Sequence, residues 1–249
     1  IVRALAGKMN LLVKSVTSTP QLSEEKIRFA AFVPMQLESI LETNDEINNV
    51  EIIILGGAPV SSKLQDKICH VEARVYATYG MSETCSHVAV KRLNGTNADD
   101  SFRTLPGVTA TVTEDGCICI NAPHLAEGEV LTTDIGRVPQ PGRLIIEGRK
   151  DFIINSGGIK INPFPWEELI SNAIGHDVLV IPLKDIKTGF KAVVVVEGEE
   201  SNELLNKISD IIANIREHYP ISRDPEFMEK FPRNRFYKID RNAVIKHFH

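Results

Sequence analysis

The first eighty residues repeat one pattern, in which short apolar and β-branched runs alternate with stretches of helical spacing. In order come NLLV at 10–13, FAAFV at 29–33, PMQLESILE at 34–42, EIIIL at 51–55, SSKLQDKIC at 61–69 and ARVYATYG at 73–80. Runs of the first kind predict strands, those of the second predict helices, and their alternation predicts a parallel sheet covered by helices. Such sheets bind ligands beyond the carboxyl ends of their strands. GGAP at 56–59 and YGMSET at 79–84 both fall there.

From about 105 to 150 the texture changes to shorter strands punctuated by turns: GVTATV, the turn EDG at 114–116, CICIN, VLTTD and RLIIEG. This predicts antiparallel β-structure joined to the first sheet. After GRKD at 148–151 follow FIINSGG, a helix around WEELISNAI, strands DVLVIPL and KAVVVV, a long helix from Asn202 to Tyr219 and a basic tail. The expected class is α/β: residues 1–150 form part of a large domain of mixed sheets with a small β subdomain, and residues 151–249 form a small α+β domain. Neither an internal repeat nor a low-complexity segment interrupts the chain, so the boundary near Asp151 rests on the change of pattern.

The composition is that of an ordinary globular protein, with 43% hydrophobic and 24% charged residues among 249. A net charge of -5 and a pI near 5.8 argue against nucleic acid or an anionic membrane as main partner, since both need a concentrated positive field. No run approaches the roughly 18 apolar residues that span a bilayer, and the opening IVRALAGKMNLLV has no small-residue cleavage site, so a cytoplasmic location is expected. Cys69, Cys85, Cys117 and Cys119 show no paired or His-rich spacing and read as reduced thiols, with Cys117 and Cys119 buried. Ile1 stands in mid-pattern, which suggests a larger protein.

Several loops carry candidate chemistry. GGAP alone reads equally as a tight strand-to-helix connection. YGMSET combines an aromatic face, a glycine that permits close approach, a hydroxyl and a carboxylate, a set able to stack a base, hold a phosphate and carry Mg2+ through Glu83. TTDIG at 132–136 and GRKD offer a carboxylate able to bind both hydroxyls of a ribose and an arginine nearby, although Asp134 also reads as a turn residue and Arg149 as a surface charge.

Taken in order, GGAP, YGMSET, TTDIG, GRKD, SGGIKINP at 156–163 and PRNRFYKIDR at 232–241 resemble the core motifs of the adenylate-forming superfamily: acyl-CoA synthetases, peptide-synthetase adenylation domains and firefly luciferase. The resemblance spans nearly the whole chain. It implies an ATP-dependent acid–CoA ligase that uses ATP, Mg2+ and coenzyme A on a small-molecule carboxylate. By it Gly57, Ala58 and Gly80 belong to the nucleotide site, Tyr79 stacks on adenine, Ser82 and Glu83 meet phosphate and Mg2+, and Asp134 and Arg149 hold the ribose. Asp151 falls at the hinge of the small domain, and Lys238, six residues after Pro232, matches the catalytic lysine. Gly157 and Gly158 would leave room for the pantetheine arm of CoA. Two departures stand out: Tyr237 replaces the usual glycine before the lysine, and the Ser/Thr/Gly-rich phosphate loop is absent, so that loop and full activity are expected of a segment upstream.

Within the superfamily, INSGGIKI at 154–161 and the compact C-terminal region look most like o-succinylbenzoate-CoA ligases of menaquinone biosynthesis. That resemblance implies that Arg3 grips a second carboxylate and that Ser86 and His87 line the acyl pocket. Other acyl-CoA synthetases, a peptide-synthetase-type adenylation domain and a non-catalytic nucleotide-binding module remain as alternatives.

Overall fold

The computed structural model describes residues 2–15, 17–22, 24–43, 45–234 and 238–249. After a short helix α1 (Val2–Ala6), the chain enters strand β1 (Ile27–Phe32), helix α2 (Pro34–Thr43), β2 (Val50–Leu55), α3 (Ser62–Ile68) and β3 (Arg74–Gly80). Strands β1, β2 and β3 lie side by side and parallel, as the alternating pattern predicts. Their helices are amphipathic: α2 buries Leu37 and Ile40, and α3 buries Leu64 and Ile68, against Ile53, Leu55 and Val75 of the sheet. Ser61 caps α3 by accepting the Leu64 amide at 3.2 Å, which satisfies a donor that the helix cannot. Buried Asn94 ties the loop before β3, accepting from the Val75 amide and donating to the carbonyls of Val71 and Ala73 at 2.8–3.0 Å.

The sheet then turns antiparallel. Strands β4 (His87–Arg92), β5 (Phe102–Thr104), β6 (Thr109–Val112), β7 (Cys117–Asn121), β8 (Glu129–Gln140) and β9 (Arg143–Arg149) extend it to nine strands in the order β1-β2-β3-β4-β5-β9-β8-β7-β6. A second core of Val88, Val108, Ile118, Ile120 and Ala122 lies under this region. Cys117 and Cys119 are buried, as expected.

A short turn at Lys150–Phe152 leads into a two-stranded hairpin, β10 (Ile154–Ser156) and β11 (Ile159–Ile161), then α4 (Phe164–Ile174), β12 (Val178–Asp185), β13 (Gly189–Glu197), α5 (Asn202–Arg216), β14 (Glu226–Met228) and α6 (Arg241–His247). Strands β12, β13 and β14 form a separate sheet with apolar side chains on both faces. Val178, Val180, Val194 and Val196 pack with Ile170 of α4 and Ile208, Ile212 and Ile215 of α5; Leu179, Ile181 and Val195 pack with Phe231 and Val244. Two covered faces explain why AVVVV at 192–196 is apolar at every position rather than at alternate ones.

One expectation needs correction. NLLV at 10–13 forms no strand, and Leu11, Leu12 and Val13 are more than half exposed. Among the described residues the run pairs with no strand, although β1 is the edge of the sheet and leaves one side of its ladder open. The basic tail docks on the second sheet through its described residues. Its apolar residues Phe231 and Val244 supply the outer cover of the second sheet, and Asp240 caps α6 by accepting the Ala243 amide at 3.0 Å.

Candidate active site

The carboxyl ends of β1, β2 and β3 open into a cleft of about 550 Å³. Its walls include Val33 after β1, Gly56 and Gly57 after β2, and Gly80, Met81 and Ser82 after β3. Gly80 is there because nothing larger fits: a Cβ would stand 2.3 Å from the Ser86 carbonyl oxygen and 2.4 Å from His87 Cα. That close approach folds the YGMSET loop back on β4 and brings Ser86 and His87 into the cleft wall, with Ser86 Oγ 3.3 Å from His87 Nδ1. Thr84, fully buried, staples the same loop: its hydroxyl donates to the carbonyls of Met81 and Ser86 at 3.1 and 2.8 Å and accepts the Met81 amide at 3.2 Å. Glu83 is exposed between the lining residues Ser82 and Cys85.

Behind Gly80, three predicted residues that lie far apart in sequence meet. The Tyr79 hydroxyl donates to Asp134 Oδ2 at 2.8 Å, and Asp134 pairs across the β8–β9 ladder with Arg149, whose Nε is 3.7 Å from Asp134 Oδ1. Arg149 also donates to Thr133 Oγ1 at 2.7 Å and Asp151 Oδ2 at 2.9 Å. Burial first, then the adjacent Asp134 carboxylate, pushes the Tyr79 phenol above its ordinary range, so it stays a donor. The Tyr79 ring packs against Phe102 at 6.0 Å between centroids.

Lys238 arrives from the far end of the chain. Arg233 and Ile239 form an antiparallel bridge, and the Lys238 amide donates to Asn234 Oδ1 at 3.2 Å, so the lysine lies in a hairpin closed by that bridge; Tyr237 lies outside the described residues. Its side chain is exposed and points to the GGAP turn: a Cβ at Gly57, which adopts φ 90°, would stand 3.9 Å from Lys238 Cε.

Other predicted residues lie elsewhere. Ala58 is exposed on the GGAP turn, and Asp151 sits in the turn between β9 and β10, paired with Arg149. Gly157 and Gly158 make the β10–β11 turn with φ of 55° and 89°, the left-handed geometry that a two-residue hairpin loop demands. They are exposed beside Thr188 rather than in the cleft wall. The Arg3 side chain lies outside the described residues. Sequence reasoning gave no role to Gln36, which lines the cleft and binds the Thr17 carbonyl and the Val33 amide at 2.8 and 3.1 Å; inside a helical repeat nothing marks it out.

No group of three or more His, Cys, Asp or Glu among the described residues could enclose a metal ion. The single Glu83 carboxylate suits a Mg2+ that takes its remaining ligands from phosphate and water. Among the described residues no helix is long and apolar enough to cross a membrane.

A family model, AMP-binding enzyme, matches residues 4–133, more than half of the chain, and spans GGAP, YGMSET and the start of TTDIG. The chain belongs to this AMP-binding enzyme family. It is 30% identical over 184 residues, 68% of its length, to the 2-succinylbenzoate–CoA ligase of Salmonella typhimurium. It also resembles an acyl-CoA synthetase (AMP-forming)/AMP-acid ligase II-like protein from Dyadobacter fermentans, at 32% identity over 95% of this chain and 70% of that one, with a TM-score of 0.54. E. coli MenE with bound OSB-AMS shares the fold, at 24% identity and a TM-score of 0.70 over 90% of this chain and 51% of that one. The chain spans 39% of the length of the Salmonella relative.

Proposed function

We propose that the chain is part of an AMP-forming acid–CoA ligase that activates 2-succinylbenzoate (o-succinylbenzoate) for menaquinone biosynthesis. The observation that carries the reading is Lys238 against Gly57: a cation from the last twelve residues stands at a cleft built by the first ninety. The acid is taken from the name of the Salmonella relative.

In the first step a carboxylate oxygen of the acid bonds to the α-phosphorus of ATP while the bond to the α,β-bridging oxygen breaks, giving acyl-AMP and pyrophosphate. Lys238 offsets the charge that grows on the phosphoryl oxygens, a preorganised cation being most effective where charge develops. Tyr79 supplies the face for adenine, the Asp134 carboxylate accepts from the ribose hydroxyls with Arg149 beside it, and Gly57, Ala58, Gly80 and Ser82 bring backbone and hydroxyl close to the nucleotide. Mg2+ held through Glu83 would neutralise phosphate charge. Ser86 and His87 wall the acyl group, and Arg3 is assigned to its second carboxylate.

Residues 151–249 then turn about Asp151, withdraw Lys238 and admit CoA past Gly157 and Gly158. The thiol sulfur attacks the acyl carbonyl, the carbonyl–oxygen bond to AMP breaks, and the thiol proton passes to solvent.

The test is pyrophosphate exchange into ATP driven by 2-succinylbenzoate in the full-length protein. Lys238→Ala is expected to slow exchange by about a hundredfold, as removal of one transition-state contact does, yet to form thioester from supplied acyl-AMP at close to the parent rate. Equal loss in both half-reactions would remove Lys238 from the adenylation step.

A further inference from the structure

Phe152 follows Asp151 directly, and two guanidinium groups meet its ring. Arg149 of β9 lies 5.7 Å from the ring centroid and Arg241 lies 4.8 Å from it. Arg241 also covers Phe164 at 5.4 Å, and the Phe152 and Phe164 rings are 6.0 Å apart. Arg241 is buried and held on every side: it pairs with Glu167 of α4 and donates to the Val180 carbonyl at 3.0 Å, while Glu167 accepts the Val180 amide at 2.7 Å. It is also the first residue of α6, three after Lys238, and the intervening Asp240 amide binds the Pro232 carbonyl at 2.8 Å. The lysine hairpin therefore ends on a fixed anchor.

We infer that Phe152 and Arg241 are positioning residues for Lys238: with Arg149 they form a stack that holds the pose in which the lysine reaches Gly57. The inference rests on the reading that Lys238 serves acyl-adenylate formation and that the small unit pivots at Asp151. Turning about that pivot carries Phe152 and Arg241 together and leaves Arg149 behind on β9, so the Arg149–Phe152 contact exists in one pose only. A contact present in one of two states shifts the population toward that state. Arg241 passes the orientation of the ring to the hairpin, because its own pairing with Glu167 and Val180 stays with the small unit.

Phe152→Leu keeps an apolar side chain and removes the ring. Glu167→Gln combined with Arg241→Gln removes the guanidinium and its ion pair yet keeps an acceptor for the Val180 amide and a donor for its carbonyl, whereas removing Arg241 alone would strand a buried carboxylate. Both variants, with Lys238→Ala as reference and thermal melting as the check on folding, would be assayed in the full-length protein for pyrophosphate exchange and for thioester formation from supplied acyl-AMP and CoA. Exchange is expected to fall by about tenfold or more, since small misplacements of a reacting group cost up to a hundredfold, with the KM for ATP and the thioester rate changed less than about twofold. Parent-level exchange in both variants while Lys238→Ala is slow, or equal loss in both half-reactions of folded protein, overturns the positioning role. Parent-level exchange in Lys238→Ala instead overturns the adenylation reading, and the inference with it.

Discussion

Tyr79→Phe isolates one bond of the nucleotide site. The substitution deletes the hydroxyl that donates to Asp134 Oδ2 at 2.8 Å and leaves the ring against Phe102 and the apolar core around Val88. A hydrogen bond to a charged group contributes about 1.5–3 kcal/mol when fully buried. The Asp134 side chain keeps 20% of its surface exposed, so water can take the vacated position and about 1 kcal/mol is the better figure for its loss. With 1.36 kcal/mol for each factor of ten, that is about fivefold in affinity. The carboxylate should drift toward Arg149, already 3.7 Å away, and present a displaced face to the ribose. Steady-state kinetics over a range of ATP concentrations should show the KM for ATP rising about fivefold with kcat within about twofold, the signature of binding lost equally in ground and transition states. A fall in kcat with an unchanged KM for ATP would refute the assignment of Asp134 to the nucleotide and would give Tyr79 a part in the chemistry instead.

Gly80→Ala places a Cβ 2.3 Å from a backbone oxygen that cannot rotate away, so stability should fall by about 2–3 kcal/mol in denaturant unfolding, with activity falling further as β4 shifts. His87→Ala, which enlarges the cleft wall, should raise the KM for the acid about fivefold and leave the KM for ATP unchanged; the reverse pattern would move His87 to the nucleotide end. Asp99 accepts from the Arg92 amide at 3.1 Å and from Arg143 and Arg103 at 2.9 and 3.1 Å. Burial, the largest single influence, raises its carboxyl, but the Arg92 amide and the two guanidinium groups together hold it below its ordinary 3.8. Because the folded value is the lower one, its stabilisation is present above pH 3.8 and is lost as pH falls below that toward the folded value. Asp99→Asn should therefore flatten the acid limb of a stability–pH curve, and an unchanged limb would show that other carboxylates dominate it.

How much of this was legible in the sequence follows from the range of the interactions. Strand and helix alternation in residues 27–80 is a local signal, and it placed GGAP and YGMSET beyond the strand ends where the cleft lies. The turn at EDG and the apolar run CICIN likewise announced β7 and the antiparallel half of the sheet. NLLV misled because an apolar run reads as a strand whether or not the fold pairs it with a neighbour. The sequence marks the tail only as basic; that Phe231 and Val244 dock it on the second sheet shows only in three dimensions. The Tyr79–Asp134 bond joins residues 55 apart, and the Glu167–Arg241 pair joins residues 74 apart. No local pattern encodes such pairs. The motifs named Tyr79 and Asp134 separately, and only the fold shows that one holds the other. Gly80 was legible as a residue of the loop, but its reason, the backbone of Ser86 and His87 pressing on it, is visible only in three dimensions.

The central claim is tested most directly by incubating the full-length protein with ATP, Mg2+, CoA and a panel of aromatic, fatty and amino acids that includes 2-succinylbenzoate, then weighing the CoA thioesters by mass spectrometry. The account predicts 2-succinylbenzoyl-CoA, with AMP and pyrophosphate formed in equal amounts and no comparable thioester from the other acids. Neither thioester nor AMP from any acid, with nucleotide still bound, would contradict it and leave a nucleotide-binding module in its place.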